Sequence, residues 1–468
     1  MSDPAELSLT DLAAAIRRRK VSSAEVTKAL LARIKKWQPK INAFARVEVE
    51  DAMKAARAAD RSVANGKIRG PLHGVPLAHK DMYYVKGKLS ECGSKIRKGW
   101  IAPATATALM RLEAAGAFRL GALNMVEFAF GPTGHNVHTG HVRNPWNPKH
   151  VTGGSSSGSG AAVGARLVPA ALGSDTGGSI RLPAHFCGVT GLKTTNGRVS
   201  RANAMPLSFT LDTVGPLART AEDCGLIAAA TAGPDPLDPT TDGATAWDAQ
   251  AAKRAPRGMT IGIPKSFYVD DLERDVDQAL NDAIATFRKL GARIVQVDLP
   301  DQTLVSAAAL IVIAVEAASY HAPWLRACAK DYGEQVRNRL INGTAYSGIE
   351  YLEALRWRGP ALAAHLAAIG QCDAILVPTA RSAAPTIAET DVGGGANAEA
   401  VILGVTRFMR PVNYLGLPAL TVPAGFSKAG LPIGLQLIGR PFRDETLIAL
   451  GAAFQNETDY HTRAPALP

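Results

Sequence analysis

A stretch rich in glycine and serine, residues 151–200, constrains this chain more than any other. It reads VTGGSSSGSGAAVGARLVPAALGSDTGGSIRLPAHFCGVTGLKTTNGRVS. Its small residues surround an Ala-rich helical pattern, which a flexible Gly-Ser linker would not contain. Glycines allow sharp turns that bring successive backbone N–H groups together. We therefore predict that this segment builds a site from its own backbone.

Two common motifs match this segment but lack the context that they need. Residues 158–164 resemble a dinucleotide-binding loop, and residues 154–158 fit the G-x-S-x-G pattern of a nucleophile elbow. Both motifs follow an apolar strand, and the elbow also needs a downstream Asp and His. The preceding NPWNPKHVT is polar and rich in proline. A nucleotide-binding oxidoreductase is therefore the disfavoured alternative class.

The run Thr176-Gly177-Gly178-Ser179 favours a third interpretation. Its two glycines allow backbone N–H groups to converge on one point, which is the geometry of an oxyanion hole. A serine at the end of such a run is a candidate nucleophile, and a serine nucleophile needs a base.

These motifs, taken with residues upstream, resemble the amidase signature family. Two glycines and two serines (residues 153–156) precede a small-residue helix, and the run DTGGSIR (residues 175–181) follows that helix. The upstream GVPLAHKD resembles the family's strand bearing a catalytic lysine, here Lys80. The resemblance extends to NMVEFAFG, LDTVGPLART and GLPIGLQLIGR, and it covers most of the chain.

The resemblance implies a role for each matching residue. The catalytic residues would be Lys80 as base, Ser155 as bridge and Ser179 as nucleophile. The oxyanion donors would be the N–H groups of Thr176, Gly177 and Gly178, and the loop would be supported by Asp175, Arg181 and Ser156. Candidate walls of the substrate pocket are Ala129, Phe130, His185, Phe186 and the region 310–345. Lysine can serve as a base only if burial lowers its pKa, and the apolar GVPLA before Lys80 favours burial.

Two branches of the family compete for the function. One is a free-standing amidase that cleaves small organic or aryl carboxamides to acid plus ammonia or amine through an acyl-enzyme. The alternative is the glutaminase-type A subunit of glutamyl-tRNA(Gln) amidotransferase. That branch has an acid where this chain has Thr406, which cannot pair with a charged amine. We therefore expect the free-standing amidase.

Strand and helix patterns alternate along the chain, as in a strand at 259–263, a helix at 274–290 and a strand at 293–297, which predicts an α/β fold. Near the start of the chain, Ser22 or Ser23 is predicted to cap a helix before Glu25. The resemblance makes it a three-layer α/β/α sandwich around a large mixed sheet. We predict one domain over residues 1–468, with a helical N-terminal layer at about 5–60 and the signature core at about 70–220. Two loop excursions are predicted at about 233–257 and 378–400.

Composition and charge bear on partners and location. The net charge is +11, but the positive residues are spread along the chain, so we expect no nucleic acid partner. We expect a small-molecule amide as substrate and a possible homodimer. Five scattered cysteines, no signal peptide and no apolar run of 18 residues predict a cytoplasmic protein without a membrane span. His135, His138 and His141 are spaced like a metal cluster, but on this loop we expect a polar surface and no metal. We also expect no cofactor.

Overall fold

The computed structural model describes residues 3–391, 393, 395 and 397–467. Within them, eleven strands form one sheet. The strands are β1 (Phe44–Val47), β2 (Pro76–Lys80), β3 (Phe118–Leu123), β4 (Ala170–Asp175), β5 (Thr190–Lys193), β6 (Thr213–Ala218), β7 (Thr260–Pro264), β8 (Arg293–Val297), β9 (Ala374–Pro378), β10 (Ala419–Phe426) and β11 (Pro432–Gly439).

The helices of the described residues surround this sheet. They are α1 (Leu9–Arg17), α2 (Ser23–Ile41), α3 (Val49–Ala64), α4 (Thr107–Ala114), α5 (Ser157–Gly164), α6 (Arg181–Cys187), α7 (Ala221–Thr231), α8 (Arg274–Lys289), α9 (Gln302–Cys328), α10 (Glu334–Gly343), α11 (Gly348–Ala368), α12 (Ile387–Thr390), α13 (Ala398–Thr406), α14 (Arg410–Tyr414) and α15 (Asp444–Glu457). Short 3-10 helices lie at Pro4–Glu6, Lys95–Arg97, Glu127–Ala129, Pro239–Thr241, Ala251–Lys253 and Ala329–Asp331.

The sheet is mixed, with the order β1-β3-β2-β4-β6-β5-β10-β11-β9-β7-β8. Strand β2 runs parallel to both β3 and β4, and β7 runs parallel to β8 and β9. The strands β2, β4, β6, β7, β9 and β11 are buried along their whole length, as expected where both faces of a sheet are covered. The prediction of a mixed α/β fold with a large central sheet is confirmed.

Several local predictions are also confirmed. Helix α2 begins with a capping box between Ser22 and Glu25, which satisfies backbone groups at the helix start. The predicted strands at 259–263 and 293–297 correspond to β7 and β8, and the helix predicted between them is α8. The N-terminal layer also contains a strand, β1, which pairs with β3.

The two predicted excursions contain short helices. Residues 233–257 include the 3-10 helices Pro239–Thr241 and Ala251–Lys253. Residues 378–400 include α12 and the start of α13, while residues 392, 394 and 396 lie outside the described residues. The single-domain organisation stays a prediction.

One long helix meets the length and composition of a membrane span, although the sequence has no uninterrupted apolar run of 18 residues. Within the segment Gln302–Asp331, the most apolar stretch of 18 residues has a mean hydropathy of 1.8, and 56% of that stretch is buried inside the protein. Near its middle, the buried Glu316 accepts hydrogen bonds from Ser208 and Thr210. A buried core helix has these properties, so they are weak evidence for a membrane span.

Candidate active site

The predicted base and the nucleophile loop meet because of the sheet topology. Strand β2 ends at Lys80 and the parallel neighbour β4 ends at Asp175. Carboxyl ends of adjacent parallel strands lie at the same edge of a sheet, where sites of α/β proteins form. The DTGGSIR loop that follows β4 is therefore held beside Lys80.

Lys80 is fully buried and lies between two serine hydroxyls. Its Nζ donates to Ser155 Oγ at 2.6 Å and to Ser174 Oγ at 2.9 Å. Burial lowers the pKa of Lys80 to about 7, although the charges of Asp212 and Asp175 act in the opposite direction. A lysine with this pKa has a substantial neutral fraction near neutrality, as a general base requires. The sequence did not indicate Ser174 or Asp212.

The two predicted catalytic serines lie on adjoining segments. The peptide bond between Gly154 and Ser155 is cis. The backbone N–H of Ser156 donates to the Ser179 carbonyl at 3.2 Å, which joins the start of α5 to the nucleophile loop. The Ser179 hydroxyl makes no hydrogen bond with another residue that the structure describes. The Ser156 hydroxyl instead donates to the Ser174 carbonyl, at 3.2 Å.

Asp175 organises the nucleophile loop. Its carboxylate accepts hydrogen bonds from the N–H groups of Gly178, Ile180 and Arg181, and from the Arg181 side chain at 3.0 Å. Burial alone would raise the pKa of Asp175, but Arg181 and Asn413 hold it well below its usual range. Asp175 and Arg181 are both fully buried, so this pair fixes the loop from inside the protein.

The predicted oxyanion donors are not equivalent. The N–H of Gly178 is already directed at Asp175 Oδ1, 2.8 Å away. The N–H groups of Gly177 and Ser179 donate to no other described residue. Gly178 has a φ of +114°, and a Cβ on it would lie 2.5 Å from Met409 Cγ. Gly178 therefore serves the turn of the loop, while its neighbours keep N–H groups available for a ligand.

A small cavity lies at the Ser179 side of the loop. The predicted residues Ala129 and Phe130 line it, together with Thr176, Gly177 and Ser179. Leu310, Ile313 and Arg339, from the predicted region 310–345, also line it, and so does Thr406. The sequence did not single out the other walls, which include Leu207, Ile402 and Arg410.

His185 and Phe186, by contrast, are buried in α6. Both ring nitrogens of His185 are engaged: Nδ1 accepts from the Gly434 N–H, and Nε2 lies 3.0 Å from the Ser382 carbonyl. These contacts hold α6 against the sheet and leave no ring nitrogen for a substrate.

The three histidines of the 135–141 loop differ in environment. His135 is buried, while His138 pairs with Glu127 at 2.9 Å. Potential ligand atoms of His135, His141 and Asp391 lie within 4.8 Å of one another. The expectation of a polar surface is therefore wrong for His135, and the expectation of no metal stays a prediction.

Comparisons with known proteins agree with this geometry. The Amidase family model matches residues 25–448. The A subunit of the glutamyl-tRNA(Gln) amidotransferase of Geobacter metallireducens is 39% identical over 484 residues, covering 98% of each chain. The solved structure of the corresponding protein from Thermotoga maritima has a TM-score of 0.84 and 30% identity, covering 100% of this chain and 99% of its own.

A second solved structure is more similar to this chain than the Thermotoga maritima structure. It comes from a vestigial protein complex that reveals the origins of an s-triazine catabolic enzyme. It has a TM-score of 0.90 and 34% identity, covering 96% of this chain and 98% of its own.

These relatives correct two sequence-based predictions. Eight curated relatives, 37–39% identical to this chain, are each described as the A subunit of glutamyl-tRNA(Gln) amidotransferase. The expectation of a free-standing amidase for small organic or aryl carboxamides is therefore wrong, and the alternative is favoured. The expectation of a chain that works without nucleic acid, with a small-molecule amide and a possible homodimer as its only partners, is wrong for the same reason. The relatives are described as one subunit of an amidotransferase named for a tRNA. The loss of one acid at Thr406 was too little evidence to decide the branch.

The family itself, predicted from the GGSS and DTGGSIR motifs and the upstream lysine, is confirmed across nearly the whole chain. This chain belongs to the Amidase family, the amidase signature enzymes, and is an amidohydrolase.

Proposed function

We propose that this chain is the glutamine-hydrolysing A subunit of a glutamyl-tRNA(Gln) amidotransferase. In this role it releases ammonia from the side-chain amide of glutamine for use by a partner protein. The observation that carries the proposal is the 37–39% identity with proteins of that description, over 96–99% of this chain.

The chemistry begins at Ser179. Its oxygen attacks the amide carbon while its proton passes through the Ser155 hydroxyl to neutral Lys80. The 2.6 Å contact between Lys80 and Ser155 supports the second half of this relay. The link between Ser156 and the Ser179 carbonyl supports the first half, because it keeps the two serine segments adjacent. The product of this step is a tetrahedral intermediate with a negatively charged oxygen.

The backbone N–H groups of Gly177 and Ser179, with Thr176 beside them, hold that oxyanion. Each such donor contributes about 3–4 kcal/mol to the transition state. Lys80 returns its proton through Ser155 to the departing nitrogen, and ammonia leaves. Water then attacks the acyl ester of Ser179, with the same relay acting as base. The carboxylic acid is released and the Ser179 hydroxyl is regenerated.

The test is glutamine-dependent amidation of glutamyl-tRNA(Gln) by the chain assembled with its partner proteins and ATP. Wild-type assemblies are expected to use either glutamine or ammonium chloride as nitrogen source. The Ser179→Ala assembly is expected to lose the glutamine-dependent reaction and to keep the ammonium-dependent one. Ser159→Ala is the matched control, because Ser159 lies on α5 and its hydroxyl binds only the Leu172 carbonyl. Equal use of glutamine by wild type and Ser179→Ala would refute the proposal.

A further inference from the structure

Asp212 is a buried carboxylate beside the nucleophile loop. It directly precedes β6, whose residue Thr213 is paired with Asp175 at the end of β4. Asp212 is 6% exposed and, together with Ser174, lines a cavity of about 200 Å³. This cavity shares no lining residue with the one at Ser179. Asp212 is therefore close to the loop but does not line the substrate cavity.

The carboxylate of Asp212 holds two parts of the Ser179 cavity. Its Oδ1 accepts a hydrogen bond from the Thr176 hydroxyl. Its Oδ2 accepts from the Leu207 N–H at 2.9 Å. The Ser208 N–H is shared between the two oxygens, at 3.1 and 3.2 Å. Because Thr176 and Leu207 both line that cavity, one side chain fixes the nucleophile loop and a neighbouring wall.

These contacts fit an ionised carboxylate. The N–H groups of Leu207 and Ser208 can only donate, so they offer no acceptor to a carboxyl proton. Burial raises the pKa of Asp212, and the hydrogen bonds that it accepts oppose that rise. No Lys or Arg side chain of the described residues lies within 4.0 Å of this carboxylate, and the nearby Arg201 is paired with Asp238. The negative charge of Asp212 therefore has no adjacent counter-ion.

The charge of Asp212 acts on Lys80. Burial lowers the pKa of the lysine, and the charge of Asp212 is the first of those that oppose this effect, before Asp175 and Cys92. Asp175 is already paired with the buried Arg181. Burial raises the pKa of Cys92 to about 12, so its thiol is neutral near neutral pH. Asp212 therefore supplies unpaired negative charge to the ammonium form of Lys80.

The other titratable groups around this pair are neutral or paired. Burial lowers the pKa of His79 to about 4, and burial raises the pKa of Tyr83 well above its usual range. Asp81 forms an ion pair with Arg46. Neither the histidine nor the tyrosine changes charge near neutral pH.

We propose that Asp212 is a positioning residue of the relay: through Thr176 it holds the oxyanion side of the nucleophile loop, and its charge stabilises the lysine ammonium that forms during attack. Asp212 itself takes up no proton, because the proton of Ser179 passes through Ser155 to Lys80. Stabilisation of charge that develops only in the transition state raises the rate and not the binding of the substrate. The inference deepens the proposed function, on which it rests for the relay and not for the identity of the amide.

The test follows labelling of Ser179 by a fluorophosphonate in the full chain, because this reaction uses the relay and needs no amide. The labelling rate is measured from pH 5 to 9 at several reagent concentrations. In Asp212→Asn we expect the high-pH plateau to fall about 10- to 100-fold, within the usual cost of losing one electrostatic contact to the transition state. The ascending limb should move to lower pH by about 0.5–1 unit, because removal of a negative charge disfavours the ammonium. The loss should appear in the maximal rate and not in the concentration that gives half of it, since Asp212 does not line the cavity at Ser179.

Two variants at Thr176 separate the two tasks of Asp212. Thr176→Val removes the hydroxyl and leaves the Asp212 charge, so the plateau should fall about tenfold while the limb stays in place. Thr176→Ser keeps the hydroxyl and should label at the wild-type rate. The Thr176 variants also test the inference if Asp212→Asn does not fold.

Asp223→Asn is the matched control. Asp223 is a buried carboxylate on α7, and it accepts hydrogen bonds from the hydroxyl and the N–H of Thr10 in α1. Its variant should keep the wild-type limb and plateau. A wild-type limb in Asp212→Asn, a wild-type rate in Thr176→Val, or an equal effect in Asp223→Asn would each overturn the inference. The proposed function would fail differently, through an assembly that does not use glutamine although Ser179 is labelled.

Discussion

The amine of Lys80 lies 2.6 Å from the hydroxyl oxygen of Ser155, at the buried end of a strand. No carboxylate of the described residues lies within 4.0 Å of this amine. Because Lys80 has no close ion pair, its two hydroxyl contacts and the charges of Asp212 and Asp175 offset only part of the cost of burying its charge. In the proposed mechanism this environment lets the lysine act as a base near neutral pH, and it determines the expected response of the enzyme to pH.

We predict that kcat/KM for amide hydrolysis rises with pH along a single limb centred near the Lys80 pKa of about 7. Below that pH the amine is protonated and cannot accept the serine proton, and above it the neutral amine predominates. The measurement is kcat/KM from pH 5 to 10 in wild type and in Lys80→Met, which should lose the limb and most of the rate.

His79→Gln is the control for this profile. Burial lowers the pKa of His79 to about 4, so this neighbour cannot produce a limb near neutrality. A wild-type limb that disappeared in His79→Gln but survived in Lys80→Met would make the histidine the base.

Ser174 is predicted to position Lys80 and to adjust its pKa. Its oxygen accepts a hydrogen bond from the amine at 2.9 Å, which favours the protonated form. Ser174→Ala should therefore move the ascending limb to lower pH and reduce kcat by about tenfold, which is less than the roughly 10²–10⁴-fold contribution of a group that itself transfers the proton. Ser159→Ala removes a buried hydroxyl that does not contact Lys80, and its limb should stay in place. A limb that does not move in Ser174→Ala would limit Ser174 to a packing role.

The Asp175 carboxylate is predicted to be a major determinant of stability. Asp175→Asn would leave the fully buried Arg181 without its counter-ion, which costs about 3–5 kcal/mol in comparable pairs. Chemical denaturation above pH 6 should reveal this loss. Because the pKa of Asp175 is lowered in the folded protein, its contribution is complete above the ordinary aspartate range and disappears as pH falls through the folded pKa.

Asp298→Asn is the control for Asp175→Asn. Asp298 pairs with Lys265 at the surface, where both side chains are more than half exposed. The free energy of unfolding of Asp298→Asn should match that of wild type within error. An equally small effect for Asp175→Asn would show that the buried pair is replaceable.

The sequence predicted those parts of the site that local motifs encode. Lys80 ends a short apolar strand, and Ser155 and Ser179 lie in glycine-rich runs, so each is visible within about ten residues of its own sequence. Arg410 and Arg339 reach the same cavity from helices that are far apart in the chain, and no local pattern links them.

The wrong expectations have related causes. His185 lies close to the signature motif, but its side chain is directed into the protein, where the Gly434 N–H binds it. The loop carrying His135 looks polar in sequence, yet the contact of this residue with Thr390, 255 residues away, buries it. Proximity in sequence to a motif was a poor guide to which side chains reach the cavity.

The proposed mechanism makes Ser179 the nucleophile and Lys80 the base that activates it. It is tested most directly by treating the folded protein with a fluorophosphonate and locating the adduct by peptide mass spectrometry. We predict one modified serine, Ser179, with no adduct in Ser179→Ala and labelling slowed at least about 100-fold in Lys80→Met, the lower range for loss of a general base. An adduct on Ser155 or Ser156, or undiminished labelling of Ser179→Ala, would contradict the account.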